Sequence, residues 1–347
     1  MRAFQFEAGK TVPVEVDIPI PIPGEGEVLV KVLAAGICHS DVTILFQPEV
    51  LAGFETGARF TMGHEGAGVI ETLGAGVAHD YPELQKGTYI AVHCVNSCFA
   101  SSCSMCSEGR GNLCQTHSIY GLGIDGAWAD YMVIRASAAV PVPGDPTTIP
   151  PAVVAVATDA VLTPYHALKT IGVRERDTVL IMGLGGLGLN AVQIAKNCMG
   201  AKCLIACDLR EHTRKEALQV GADYAVAPEE LAGLIQSKKF VVDIALDAVG
   251  VQPTFDSAVT FVKPGGKVGV IGLGSEKLQF RPISVVGREV NMIFTFAGKK
   301  EELAEALQGV ADGKIAPRVD ERALKDCPQV LEEFYKGQIR HRAVLIP

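Results

Sequence analysis

A short apolar run, Thr178–Met182, leads directly into Gly183-Leu184-Gly185-Gly186-Leu187-Gly188, and a second run, Cys203–Cys207, ends at Asp208. Glycines at the first, third and sixth positions after a strand mark a backbone path that side chains would obstruct. Such a turn opens a helix, and residues 187–199 have the matching apolar spacing in Leu189, Val192, Ile194 and Ala195. A strand, a turn, a helix and a second strand make a parallel pair joined by a crossover. Residues 211–220 read as the next helix, closing at Gly221, and residues 241–246 and 267–271 read as further strands. This half of the chain is therefore expected to be α/β, a doubly wound parallel sheet covered on both faces.

The first 150 residues have a different texture, rich in Gly, Pro and Val. Short β-like runs at 28–33 and 89–92 lie between turn residues such as Pro23-Gly24 and Lys86-Gly87. The texture changes after Pro150-Pro151, and 347 residues is long for one core, so two domains are expected. Residues 301–347 hold a helical stretch and a last β-like run, Ala343 to Ile346. A hydrophobic content of 48% against 20% charged residues excludes a disordered or fibrous chain. The net charge of −8 argues against nucleic acid or an anionic membrane as partner. No basic segment followed by an apolar run opens the sequence, and no apolar stretch reaches transmembrane length, so a cytoplasmic location is the default expectation.

The glycine turn has the chemistry of a dinucleotide site. Gly183 permits the tight turn, Gly185 lets the backbone approach a pyrophosphate, and Gly188 allows close helix–strand contact. With Gly186 and Leu187 they open a helix whose N–H groups face the phosphates; no Lys or Arg lies between Gly183 and Ala195 to assist. Asp208 would accept hydrogen bonds from the adenosine ribose and repel a 2′-phosphate, which favours NAD. Arg210 keeps NADP open as the second choice, since a guanidinium there could hold that phosphate. The bland alternative, glycines kept for packing alone, does not account for the strand, the helix and Asp208 together. A second glycine group, Gly269, Gly272 and Gly274, has the wrong order and reads as a loop at a strand's carboxyl end, with Gly272 near the nicotinamide half.

Cysteine placement points to metal. Cys98-x4-Cys103-x2-Cys106-x7-Cys114 gathers four thiols among Ser, Gly and Asn, which suits a closed structural zinc better than surface thiols or a disulfide. Cys94 is left over as a small buried residue, and Cys198, Cys203 and Cys207 are expected to be buried. A second constellation is Gly36-Ile37-Cys38-His39-Ser40-Asp41 with Gly63-His64-Glu65-Gly66. Cys38 and His64 are ligand types for zinc, Asp41 could hold the free ring nitrogen of His64, and Glu65 adds a carboxylate. Asp159, a lone acid in an apolar stretch, would complete three ligands and leave the fourth position for substrate. The competing reading makes Thr158 or Asp159 a helix N-cap.

Taken together, and along essentially the whole chain, these motifs resemble the zinc-dependent alcohol dehydrogenases of the medium-chain dehydrogenase/reductase family. The resemblance implies a GroES-like, mostly β catalytic domain from residues 1–155 and 297–347 around a Rossmann domain at 156–296. It implies that Cys38, His64 and Asp159 hold a catalytic zinc, that Ser40 takes the alcohol proton, and that His39 and Arg342 lie at the cofactor diphosphate. A homodimer or homotetramer follows by the same analogy. Three departures stand out. Asp159 replaces the cysteine that several members use, the first cysteine spacing is x4 in place of x2, and Thr43 stands where many relatives carry a proton-relaying histidine.

The expected reaction is hydride transfer between NAD(H) and a small alcohol, aldehyde or ketone, on an enzyme with one catalytic and one structural zinc. Ile44, Leu45, Phe46, Leu51 and Phe54 would give the substrate an apolar border, while Phe294 and Phe296 would line the nicotinamide side or a subunit contact. Two rivals keep the fold: reduction of a conjugated C=C or a C=N bond, favoured by the missing relay histidine, and a non-catalytic dinucleotide-binding scaffold.

Overall fold

A computed structural model describes residues 1–46 and 59–347. Leu51 and Phe54 of the expected substrate border lie outside the described residues. The chain divides into two compact units, one of residues 1–159, 299–311 and 317–347, the other of residues 160–298 and 312–316.

The first unit is built on a seven-stranded sheet. Its path runs Ala139–Pro141, Tyr89–Val92, Glu65–Leu73, Glu27–Gly36, Arg342–Ile346 and Val319–Ala323, with Tyr131–Arg135 also paired to Glu27–Gly36. Central position explains the composition of Glu27–Gly36: Val28, Val30, Val32, Ala34 and Ala35 are buried and only Lys31 reaches solvent fully. A sheet covered on both faces needs such near-continuous apolar strands. The Pro151–Val156 helix, with Pro at its first position, lies against the Glu27–Gly36, Glu65–Leu73 and Arg342–Ile346 strands.

Strand register in this sheet brings distant parts of the sequence together. Gly36 pairs with Glu65 on one side and with Val344 on the other, so both neighbours converge on the carboxyl end of Glu27–Gly36. Gly36 has to be glycine, because a Cβ there would overlap the Glu65 carboxyl group. Trp128, fully buried, donates its indole N–H to the Gly36 carbonyl at 3.0 Å. Its ring fills the space beside Gly63, whose φ of +92° is one that side chains rarely adopt.

The second unit is a six-stranded parallel sheet in the order Tyr224–Val226, Cys203–Cys207, Thr178–Met182, Val242–Asp247, Val262–Val270, Asn291–Phe294. The strand order reverses direction beside Thr178–Met182, which is the place where such sheets bind nucleotides. Leu180, Ile205, Ala245 and Val268 fill the core at 0% exposure. The sequence reading of 178–182 and 203–207 as strands coincides with the structure. The helix expected over 187–199 is shorter: Gly186–Gln193 is α-helical, and Ile194–Cys198 widens to a π-turn. Of the three cysteines expected inside this unit, Cys207 is buried whereas Cys198 and Cys203 are half-buried. No helix among the described residues is long and apolar enough to cross a membrane.

Gly36→Ala is expected to destabilise the first unit by about 1–3 kcal/mol, the usual result of overpacking a full site. Trp128 is the single tryptophan of the chain, so the unfolding transition followed by its fluorescence reads this unit directly. An unchanged midpoint would show that Glu65 can move aside.

Candidate metal and dinucleotide sites

Four donor groups meet where the central strands of the first unit converge. Cys38 follows Glu27–Gly36, His64 precedes Glu65–Leu73, whose first residue is Glu65, and Asp159 arrives on the turn after Pro151–Val156. One ligand atom from each of Cys38, His64, Glu65 and Asp159 lies within 4.8 Å of the others. Asp159 is not an N-cap; it sits inside a π-helical turn, Ala157–Val161, that continues into the next helix. Such single widened turns tend to occur at functional sites, where the extra residue is pushed out of the helical ladder.

Hydrogen bonds orient the donors. Asp41, fully buried, accepts from the Cys38 backbone N–H at 2.8 Å through one oxygen and lies 3.1 Å from His64 Nδ1 through the other. That commits Nδ1 to the carboxylate and leaves Nε2, 3.8 Å from Asp159 Oδ2, facing the cluster. Burial opposes a charge on the His64 ring, but Asp41 and its other polar neighbours outweigh this and hold its pKa well above the ordinary value. Glu65 is also fully buried; burial pushes it up to about 7 although a guanidinium lies against it.

That guanidinium belongs to Arg342, the first residue of the last strand. Arg342 binds both oxygens of Glu65, Nε at 3.2 Å to one of them, and Nη2 donates to Asp159 at 2.8 Å. Arg342, expected at the cofactor diphosphate, has its side chain among the carboxylates of the cluster, 6% exposed. Sequence reasoning missed this pairing across 277 positions, and only strand register could have revealed it. With the His64 ring charged, Asp41, Glu65 and Asp159 carry three negative charges against two from His64 and Arg342; a metal that ionised the Cys38 thiol and took His64 as a neutral ligand would make the balance four against one. A divalent cation is the charge this arrangement lacks, and thiolate, imidazole and carboxylate are the donors zinc accepts.

The first turn of the helix at His39–Phe46 carries the remaining expected residues. Ser40 is half-buried, and His39 is exposed with its ring edge 4.6 Å from Phe334. Thr43 donates its hydroxyl back to the His39 carbonyl at 3.0 Å. Ile44 and Leu45 point into the core, while Phe46 stacks on Tyr335 at 4.6 Å.

The cysteine cluster forms as well. One sulfur from each of Cys98, Cys103, Cys106 and Cys114 falls within 4.8 Å of the others, and Cys98 lies 3.6 Å from Cys106. The longer first spacing therefore does not exclude Cys98. Desolvation and neighbouring thiols push Cys106 up to about 12; Cys114, despite the opposing effect of burial, is held down at about 6 by hydrogen bonds from Thr116 and the backbone. A cation of zinc's affinity for sulfur would bring such unequal thiols to a common ionised form. Cys94 is buried and outside this group.

In the second unit the glycine turn behaves as its spacing requires. Gly183 has φ +85° and faces Val249, and a Cβ on Gly188 would strike the Gly183 carbonyl. Gly185 is exposed with open space around its missing Cβ, directly before the helix that starts at Gly186. That opening and the helix N-terminus fit a diphosphate. Gly272 abuts the backbone of Val249 and Gly250 in the loop after Val262–Val270, and no helix begins before Pro282. Phe294 is 64% exposed at the end of the edge strand and Phe296 37% just beyond it.

A zinc-ligand cluster on a β unit and a nucleotide turn on a parallel α/β unit define a zinc-type, dinucleotide-linked dehydrogenase. Comparison with known proteins agrees. A family model for the alcohol dehydrogenase GroES-like domain matches residues 24–144, and one for zinc-binding dehydrogenases matches residues 186–312. An alcohol dehydrogenase of Geobacillus stearothermophilus is 32% identical over 92% of this chain and 91% of its own length. Among solved structures, acetophenone reductase from Geotrichum candidum in complex with NAD is 36% identical with a TM-score of 0.86, covering 100% of this chain and 97% of that one. The alcohol dehydrogenase of Aeropyrum pernix is 29% identical with a TM-score of 0.90, and both chains are covered completely. The protein belongs to the zinc-dependent alcohol dehydrogenases of the medium-chain dehydrogenase/reductase family, and it is an oxidoreductase.

Cys98→Ser is expected to lower bound zinc by about one equivalent per chain and to destabilise the first unit by several kcal/mol, since a structural zinc contributes folding free energy. Elemental analysis with thermal unfolding checks both. Full zinc content in the variant would remove Cys98 from the ligand set.

Proposed function

We propose that this protein interconverts an alcohol and its aldehyde or ketone by hydride transfer with a nicotinamide dinucleotide. The observation that carries the reading is the convergence of Cys38, His64 and Asp159 with Glu65 within 4.8 Å in one largely buried cluster. Cys38, His64 and Asp159 would hold the catalytic zinc, and Asp41 fixes the imidazole so that Nε2 points at it. Glu65, tied to Arg342, would stand behind the ligands as a reserve of negative charge. When bound, the zinc supplies a Lewis acid for the substrate oxygen and the dinucleotide supplies the hydride acceptor.

The chain's own side chains do the rest. Ser40, two residues after Cys38, would receive the proton of the alcohol hydroxyl. Proton exit then differs from that of relatives with a titrating residue at position 43, because Thr43 turns its hydroxyl onto the helix backbone. Water or His39 would carry the proton on. Gly183 to Gly188 would bind the diphosphate through backbone N–H groups, and Asp208 favours a ribose without a 2′-phosphate, so NAD is the first choice. The acetophenone reductase and Geobacillus relatives point to small alcohols, aldehydes and ketones as substrates. The cysteine cluster would hold a second, structural zinc. By analogy with the family, the protein would be a homodimer or homotetramer in the cytoplasm.

Cys38→Ser is expected to lower kcat at least about a thousandfold, as loss of a catalytic metal does, and to remove one zinc while leaving dinucleotide affinity within about threefold. A spectrophotometric panel of alcohols and ketones, with metal analysis of both proteins, checks this. Wild-type turnover in the variant would sink the assignment.

A further inference from the structure

Pro164 stands inside the helical stretch that carries Asp159, which runs unbroken from Pro151 to Ile171. A proline within a helix has no N–H for the carbonyl four residues back, and its ring pushes that carbonyl out of the ladder. The carbonyl concerned is that of Ala160, the residue bonded to Asp159. Ala160 is fully buried, so its carbonyl needs a donor from the protein. A neighbouring helix supplies it: Asn190 Nδ2 donates to the Ala160 carbonyl at 3.0 Å. A second side chain mends the turn from within, Thr158 Oγ1 donating to the Ala155 carbonyl at 2.7 Å.

Asn190 is itself buried and held in one orientation. Its Nδ2 also donates to the Gly186 carbonyl at 2.9 Å, at the start of its own helix. Its Oδ1 accepts from Gln193 Nε2 at 3.4 Å, and Gln193 Oε1 accepts from the Ala316 backbone N–H at 2.8 Å. A backbone N–H can only donate, so this relay fixes which end of each amide is which. The NH2 group of Asn190 therefore has to face Ala160. Asn190, Gln193, Ala160 and Ala316 all belong to the second unit, whereas Asp159 ends the first segment of the first unit.

We infer that Asn190 is a positioning residue for the metal cluster: it takes the place of the N–H that Pro164 lacks, holds the π-turn open and so keeps the Asp159 carboxylate beside Cys38 and His64. Asn190 acts through the Ala160 peptide and not by contact with the donor atoms. A turn relaxed to α geometry would absorb the extra residue and rotate one flanking helix by about 100° against the other, carrying the carboxylate off the cluster. The stretch from Pro151 to Ile171 would then be an ordinary helix with a ligand on the wrong side. This inference rests on the reading of Asp159 as a zinc ligand.

Metal affinity tests this without turnover. Zinc is stripped from the full-length protein by titration with a chromophoric chelator, and the step missing in Cys38→Ser reports the cluster of the first unit. Asn190→Leu, close to asparagine in volume but without donors, is expected to give up that zinc at about tenfold lower chelator concentration, while the step of the four cysteines stays within about twofold. In a Pro164→Ala background the Ala160 carbonyl regains a backbone donor, and the same Asn190→Leu change should cost less than about threefold. Asn190→Ser, small enough to admit a water as donor, should lose about threefold and serves where the leucine variant does not fold. An unchanged first-unit step in the Asn190 variants, an equal loss at both zinc steps, or a loss of about tenfold that persists in the Pro164→Ala background would overturn the role of Asn190. Zinc content unaffected by both Cys38→Ser and Asp159→Ala would overturn the metal reading itself, whatever the Asn190 variants do.

Discussion

Buried charge is the constraint around which the first unit is arranged. Asp41 and Glu65 are fully buried, and Arg342 is nearly so. Ionised groups in such surroundings are tolerable only when paired and hydrogen-bonded. The pairing is supplied by three adjacent strands whose register puts Gly36 between Glu65 and Val344, two residues along the last strand from Arg342. Residues from the two ends of the sequence must meet for this to occur, which explains why the last strand lies beside Glu27–Gly36 at the centre of the sheet. Gly36 and Trp128 serve the same requirement, one making room for a carboxylate and the other holding the strand end.

The second unit solves a simpler problem with local means. Its glycine turn uses a backbone free of side chains at Gly183 and Gly188, an opening at Gly185 and one buried carboxylate, Asp208, from the end of the neighbouring strand. Asp208 closes the turn by accepting from the Leu184 N–H, so the residue proposed to bind the ribose also braces the loop proposed to bind the diphosphate.

This difference between the units decides how much of each is legible in the sequence. The Thr178–Met182 and Cys203–Cys207 strands, the glycine turn and Asp208 can be read because their signals are contiguous and periodic. Cys38, His64 and Asp41 can be read because metal chemistry limits the side chains that serve. Asp159 stands out as an acid in an apolar stretch, but its π-turn does not, since nothing in Ala157-Thr158-Asp159-Ala160 distinguishes a widened turn from an ordinary helix. The partnership of Arg342 with Glu65 depends on register between strands far apart in sequence, and periodicity carries no such information. Arg210 grips Asp208 through Nε at 3.1 Å and Nη2 at 3.2 Å, and this pairing is hidden for a different reason: both residues are conspicuous in the sequence, but their contact is seen only in three dimensions.

The candidate ligand cluster of the first unit contains a single sulfur, that of Cys38. Two thiolates on one metal can be joined by an oxidant into a disulfide that expels the ion. A lone thiolate accompanied by nitrogen and oxygen donors has no such partner within its own set. Oxidative attack that proceeds through disulfide formation is therefore directed to the four thiols of Cys98, Cys103, Cys106 and Cys114, away from the proposed reaction centre.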